Sequence, residues 1–474
     1  MKNNFLLILF IFIINICNAQ LKLAPIFSDN MVLQQEATVN IFGFAPKNTT
    51  IKITTSWTKK TYSSKSNQLG KWEIKIPTTS ASIGNSIVIK NNKQKMAIKN
   101  VMLGEVWLCS GQSNMEMPLK GFKDQPILNS NETIFNDAND LISMFVVPRS
   151  VKLHEQDTIK QNIWKIATTE NLSNYSATAF HFAKLMQKKL NVPIGLLNVS
   201  YGGTPVEAFM SKRALENFKE IKLPTTADSA KLTNKFATVI YNAMFKPVIG
   251  YTIKGCIWYQ GESNYDKPIL YESLFPAFVK FLRTEFGQGD FPFYYAQIAP
   301  FNYANIFKPN DNPLLNSAYL REAQRKALLQ INNSSMIVLM DQGEENNIHP
   351  ANKEIVGKRF AYTALAKDYG YKGFAYTSPS VDSFLIKDTS IIVKFGNAPN
   401  GITSFGKPIT TIEIAGADKV FVLANVTIRN GTLIIYNKEI QKPKYVRYAF
   451  KDYVKGEIFS TEGFPISSFT NETY

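Results

Sequence analysis

Ser110-Gly111-Gln112-Ser113-Asn114-Met115 follows directly on the apolar run Val106-Trp107-Leu108-Cys109. A buried strand that stops at a glycine-flanked serine presents a hydroxyl nucleophile at a sheet edge. The strand fixes its position, Gly111 permits the sharp turn, and the following helix offers backbone N–H groups to an oxyanion. Serine is also a good turn former and N-cap, so the stretch alone fits a structural role equally well. Its meaning depends on what the chain brings to the same edge.

Outward from that serine, residues 101–368 alternate strand, loop and helix. Apolar runs stand at Val106 to Cys109, Pro193 to Val199, Lys254 to Tyr259, Phe291 to Ile298 and Met336 to Met340. Helical stretches separate them, including Ala177–Leu190, Ile269–Phe286 and Ala318–Ile331. Continuous apolar strands alternating with helices predict a three-layer α/β/α domain around a five-stranded parallel sheet. Ligands gather at the carboxyl ends of such strands. Residues 20–100 read instead as short alternating strands with polar turns, such as Thr38 to Phe42, Thr50 to Thr54 and Lys71 to Ile76. That pattern predicts a small β-sandwich. A second β-rich module is expected over 369–474, from Thr389 to Phe395, Lys419 to Leu423 and Thr432 to Tyr436.

Residues 1–19 have the make-up of a secretory signal: Lys2, an apolar core from Phe5 to Ile16, and Cys17-Asn18-Ala19 before the cut. The apolar run is too short for a comfortable membrane span. Export to the periplasm or beyond, without a membrane anchor, is therefore expected. Removal of that segment leaves Cys109 and Cys256, read as buried free thiols because bridging paired central strands would strain a disulfide. The 474 residues are 45% hydrophobic, enough for two or three cores, and carry a formal charge of +16. That charge is scattered and lysine-based, with no arginine-rich patch or RNA motif, so no nucleic-acid partner is expected. No ligand spacing suggests a metal, and no cofactor is implied.

A serine nucleophile needs a base, and the chain has three histidines. His181 lies within a helical run and His154 in a polar segment without a visible partner. His349 follows the strand Met336 to Met340 through the loop Asp341 to Ile348, where a base should stand. At a third strand end, Tyr259-Gln260-Gly261-Glu262-Ser263-Asn264 clusters amides able to donate to an oxyanion. At a fourth, Ser200-Tyr201-Gly202-Gly203-Thr204 exposes backbone N–H groups. Together the four ends form a coherent acyl-transfer site. Arg321, on a helix, reads as half of an ion pair with a neighbouring carboxylate.

These segments resemble the SGNH-hydrolase superfamily and, within it, the sialate O-acetylesterase-like carbohydrate esterases. The resemblance rests on Gly-Gln-Ser-Asn-Met at 111–115, Trp-Tyr-Gln-Gly-Glu-Ser-Asn at 258–264 and Ile-His-Pro-x-Asn-Lys at 348–353. Leu-Arg-Glu-Ala-Gln at 320–324, Val-Arg-Tyr-Ala at 446–449 and Glu-Gly-Phe-Pro at 462–465 extend it nearly to the C-terminus. Met115 stands where the α/β-hydrolase elbow requires glycine, which separates the two families. The resemblance implies an SGNH-type domain with Ser113 as nucleophile and His349 as base. It implies an oxyanion hole from the N–H of Ser113, a Gly202 or Gly203 N–H (Gly203 preferred), and the amide of Gln260, with Asn264 the competing choice.

Related enzymes often carry an aspartate two or three residues before the histidine, where this chain has Asn347 and Asn346. The third member is then a carboxylate from Glu345, Glu344 or Asp341, a backbone carbonyl, or absent in a Ser–His dyad. The implied activity is removal of O-acetyl groups from carbohydrates, with O-acetylated sialic acid the leading substrate. The alternatives are acetylxylan or another polysaccharide on the same machinery, and a non-catalytic glycan-binding protein on an esterase core.

Overall fold

The computed structural model describes residues 20–306 and 315–473. The expected signal segment, residues 1–19, lies outside them. The central sheet contains β1 (Lys95–Gly111), β2 (Asn139–Val146), β3 (Lys165–Ala167), β4 (Ile194–Ser200), β5 (Gly255–Tyr259), β6 (Phe293–Ala296) and β7 (Ser334–Ile337). Their spatial order is β3-β2-β4-β1-β5-β6-β7. Neighbours run parallel except β3, which is antiparallel to β2. The expected five-stranded parallel sheet is thus corrected to a mixed one, with β2 as a further parallel strand and β3 as an antiparallel edge. β2 opens on the polar pair Asn139-Asp140 and is buried only over Ile142 to Phe145, with Ser143 among them. No unbroken apolar run marks it.

The chain builds to one side of β1 with β2 and to the other after β4, so the topology switches direction at β1. Open α/β sheets bind ligands at such a point. Helices relevant to the site are α1 (Ser113–Glu116), α2 (Ala177–Leu190), α3 (Pro268–Phe286), α4 (Ser317–Ala327) and α5 (Lys353–Asp368). Strand alternation sends Trp107 and Cys109 into one core with Phe180, Phe182 and Phe360. Val106 and Leu108 enter the opposite core with Phe275, Phe278 and Leu320. Helices on both faces therefore explain why β4 and β5 are buried along their whole length.

Cys109 and Cys256 are free and buried. They lie on paired strands but belong to opposite cores, so their sulfur atoms face away from each other. Burial pushes both thiols upward in pKa, which keeps them unreactive.

β1 is 17 residues long, and its first half pairs with Ser82–Lys90 and Val32–Gln34 of the N-terminal strands. Thr38–Phe44, Lys71–Pro77 and Lys22–Leu23 form a separate sheet. Ile41 and Ile74 of that sheet share a core with Ile51, Ile53 and Ile89. After α5, two four-stranded antiparallel sheets follow, and the chain then returns to α4. Arg321 anchors that return. Its Nη2 donates to the carbonyls of Ala449 (3.3 Å) and Lys451 (2.5 Å), and its Nε to Ser468 Oγ (3.1 Å). Its Nη1 donates to Ser317 Oγ (3.0 Å) and the Asp452 carbonyl (3.3 Å). The ion pair expected for Arg321 is replaced by carbonyl and hydroxyl acceptors, and burial lowers the guanidinium pKa to about 10. Arg321→Met would leave those acceptors unpaired in the interior, which costs on the order of 3 kcal/mol. Urea denaturation should register this loss, and limited proteolysis should cut first between residues 449 and 470.

Candidate active site

Strand register brings the motifs together. Gly111 at the end of β1 lies opposite Ser200 of β4 on one side and Tyr259 of β5 on the other. The chain leaves all three strands at one level, so Ser113, Gly202-Gly203 and Gln260-Gly261 emerge side by side. Gly111 has φ +139°, and a Cβ there would sit 2.1 Å from the Tyr259 carbonyl oxygen. Only glycine permits that approach. Gln112 N–H donates to the same carbonyl at 2.9 Å. The Gln112 side-chain oxygen accepts from Ser263 N–H at 3.2 Å, binding the first motif to the third.

Ser113 opens α1 and retains 9% of its exposure, on the border between buried and accessible. The residues after it are held from α2: Thr178 Oγ1 donates to the Asn114 carbonyl (3.0 Å) and Ser176 Oγ to the Met115 carbonyl (2.6 Å). Glu116 braces the glycine pair, accepting from Gly202 N–H (2.8 Å) and from Arg149 Nε (2.5 Å). Gly202 is thereby committed. Gly203, at φ +72°, keeps its N–H free of any partner among the described residues. Asn234 holds this turn from outside through the Gly202 carbonyl (2.7 Å).

The two candidate amides differ. Gln260 is fully buried and donates to the Thr204 carbonyl (3.3 Å) and to Asn264 Oδ1 (2.7 Å), so both its N–H groups are committed. Asn264 donates to Glu207 Oε2 (2.8 Å) and retains one N–H. Gln260, the amide that the resemblance favours, has its side chain turned toward Thr204 and Asn264.

His349 stands in the loop between β7 and α5. Its backbone is clamped by Asn347, whose Oδ1 accepts from His349 N–H (3.0 Å) and whose Nδ2 donates to the His349 carbonyl (2.8 Å). Glu344 caps the same loop, accepting from Ala351 N–H (2.7 Å) and Asn347 Nδ2 (2.9 Å). Asp341 is ion-paired with Arg359 (2.6 Å), and Glu345 is exposed. None of these three carboxylates is bonded to the imidazole. Its Nδ1 lies 2.6 Å from Gln125 Oε1, and the Phe122 ring meets it edge-on at 5.5 Å. Both residues come from the loop Gly121 to Pro126, which sequence reading left without a role.

Asn114 joins the two halves. Its Nδ2 donates to the Ile348 carbonyl (3.1 Å) and to Glu262 Oε1 (2.5 Å), and its Oδ1 accepts from Lys353 Nζ (2.6 Å). The residue after Ser113 is thus bonded to the residue before His349. Burial lowers Lys353 to about 7 and raises Glu262 above the ordinary carboxylate range. Burial also lowers His349 to about 4, with the nearby Lys353 charge adding to the effect. His154 and His181 stand apart from this cluster, and His181 is likewise lowered to about 4 by burial within α2.

A profile of the carbohydrate esterase family described as sialic acid-specific acetylesterase matches residues 103–366. Sialate O-acetylesterase of Homo sapiens is 28% identical over 393 residues, covering 76% of this chain and 73% of that protein. The Pongo abelii enzyme is 27% identical over 390 residues, with the same coverage. A carbohydrate acetylesterase from Xanthomonas citri superposes with a TM-score of 0.85 at 27% identity, covering 96% of this chain and 100% of the other.

The imidazole values carry a stability consequence. His181 and the half-buried His349 hold folded pKa values of about 4, below the 6.5 of a free imidazole. The unfolded chain therefore takes up protons first as pH falls. Their contribution to stability is complete above pH 6.5 and is lost as pH falls through about 4. Urea midpoints should decline from pH 7 to pH 4.5, and His181→Gln should flatten that decline.

Proposed function

The chain belongs to the sialic acid-specific acetylesterase family of carbohydrate esterases and is a carboxylic ester hydrolase, and from that premise we propose a Ser–His acyl-enzyme mechanism acting on O-acetylated sialic acid. The observation that carries this reading is the Asn114 bridge, which fastens the helix of Ser113 to the loop of His349. Ser113 Oγ attacks the acetyl carbonyl carbon while His349 Nε2 takes its proton. The resulting oxyanion is met by the N–H groups of Ser113 and Gly203 and by the uncommitted Asn264 N–H. Collapse breaks the C–O bond to the sugar, whose oxygen recovers the proton from His349. Water, deprotonated by His349, then attacks the acetyl-Ser113 carbonyl, and collapse releases acetate as Ser113 Oγ recovers that proton from His349. The catalytic unit of this reading is residues 101–368, between β-rich modules at 20–100 and 369–474. The apolar segment of residues 1–19 supports export, so that substrate is met in the periplasm or outside the cell.

A cavity of about 380 Å³ beside Glu116 favours an acidic sugar. Its lining includes Arg149, Lys160, Asn162, Asn198 and Ser200. Arg149 is paired with Glu116 in this lining, so Lys160 leaves it with one net positive charge, which suits the carboxylate of sialic acid that the xylose units of xylan lack.

Acetate release from O-acetylated sialic acid and from acetylated xylan, with wild type and Ser113→Ala in parallel, tests the reading. Ser113→Ala should abolish release, and the sialic acid should turn over faster. Faster xylan turnover would move the assignment to a polysaccharide acetylesterase. A folded wild type silent on both substrates, and on p-nitrophenyl acetate, would leave a glycan-binding protein. Because His349 must be neutral to act as base, kcat/KM should hold above about pH 4 and fall below it as the imidazole charges.

A further inference from the structure

The loop Gly121 to Pro126 is built to face His349. Phe122 and Gln125 exchange two backbone hydrogen bonds at 3.1 Å, closing a tight turn that Gly121 enters at φ +79°. Beyond the turn, Leu128 N–H donates to the Ala351 carbonyl at 2.9 Å. Before it, the Leu119 carbonyl accepts from Ser130 Oγ at 2.6 Å. The turn is therefore tied to the histidine loop and to its own base. Its two inward side chains, Phe122 and Gln125, both meet the imidazole.

We infer that Gln125 is a positioning residue of the esterase, its side-chain oxygen standing at His349 Nδ1 where a serine hydrolase of this type carries a carboxylate. The inference rests on the Ser–His reading above. An amide oxygen at 2.6 Å can only accept, so Nδ1 carries the proton and Nε2 keeps its lone pair for the Ser113 hydroxyl. A carboxylate would fix the same tautomer and also stabilise the imidazolium formed during attack. Gln125 does the first and not the second.

The surrounding charges do not make up the difference. The Lys353 ammonium acts on His349 with like charge. Glu344 faces Ala351 and Asn347, Glu262 faces Asn114, and Asp341 faces Arg359. Glu345, Lys123 and Asp124 are exposed. The amide thus leaves a weakly basic imidazole that remains neutral, and ready to act, in acid solution.

The test uses Gln125→Ala and Gln125→Glu in the full chain, with Ser113→Ala as control and p-nitrophenyl acetate as ester. Imidazole ¹⁵N spectra run alongside, and the signals of His349 are those lost in His349→Gln. Wild type should show the Nδ1–H tautomer at His349. Gln125→Ala should mix the tautomers and lower kcat by about tenfold or more with little change in KM. Gln125→Glu should keep the tautomer and raise the imidazole pKa by roughly one to three units, moving the acid limb of kcat/KM upward with it. An Nε2–H tautomer in wild type would overturn the inference. So would a Gln125→Glu variant whose imidazole titration is unmoved. If wild-type turnover does not depend on Ser113, the esterase mechanism fails, and the tautomer and titration still decide the role of Gln125.

Discussion

A methyl group at position 111 would lie 2.1 Å from the carbonyl oxygen of Tyr259, well inside any allowed contact. The whole site depends on the absence of that methyl. With no side chain there, β1 and β5 stay paired to their last residues and release their chains at one level. Ser113, the glycine pair and the amide cluster become neighbours because three strands end in register. This explains why Gln112 can bond the third motif twice, through its main chain at Tyr259 and its side chain at Ser263.

Beneath Ser113 the structure accepts an electrostatic burden. Asn114, Glu262 and Lys353 form one buried hydrogen-bonded set, and both ionisable members are pushed toward their neutral forms by desolvation. Each opposes the other's shift, since the carboxylate steadies the ammonium and the reverse. A neutral amide between them satisfies donor and acceptor at once. The set is rigid where its atoms are paired, although Glu262 Oε2 stays buried without a hydrogen-bond partner among the described residues. That rigidity is passed to the loop of His349 through Ile348 and Pro350, whose carbonyls the set also binds.

Much of this was legible in the sequence. α2 spans Ala177–Leu190 as its periodicity indicates, and the apolar runs before Ser110 and Gln260 are strands buried on both faces. Such runs are readable because burial on both faces leaves few polar residues in them. β2 escaped notice because only its second half is buried, and β3 because three residues carry no period. In the site, Gln125 was invisible for a different reason. It is separated from His349 by 224 positions and lies in a short polar turn. Nothing local distinguishes a glutamine that faces an imidazole from one that faces water. Gln260 misled in the opposite way: a strand-end amide reads as an oxyanion donor, yet its own neighbours Thr204 and Asn264 take both of its protons.

The length of β1 has a further consequence, for the order of assembly during synthesis. The partners of its first half, Val32–Gln34 and Ser82–Lys90, both precede it in the chain. The partners of its second half, β4 and β5, are made only after some eighty further residues or more, from Ile194 and Gly255 onward. A nascent chain can therefore dock Lys95–Leu103 onto the N-terminal sheet while Trp107 to Gly111 still lacks neighbours. The segment that leads to Ser113 then projects from a formed sheet as a template with two open edges. Later strands add to it one side at a time, and loop closure is measured from a fixed strand, not from a free coil. As the chain emerges, the N-terminal strands can thus serve the candidate site as its scaffold before the later strands arrive.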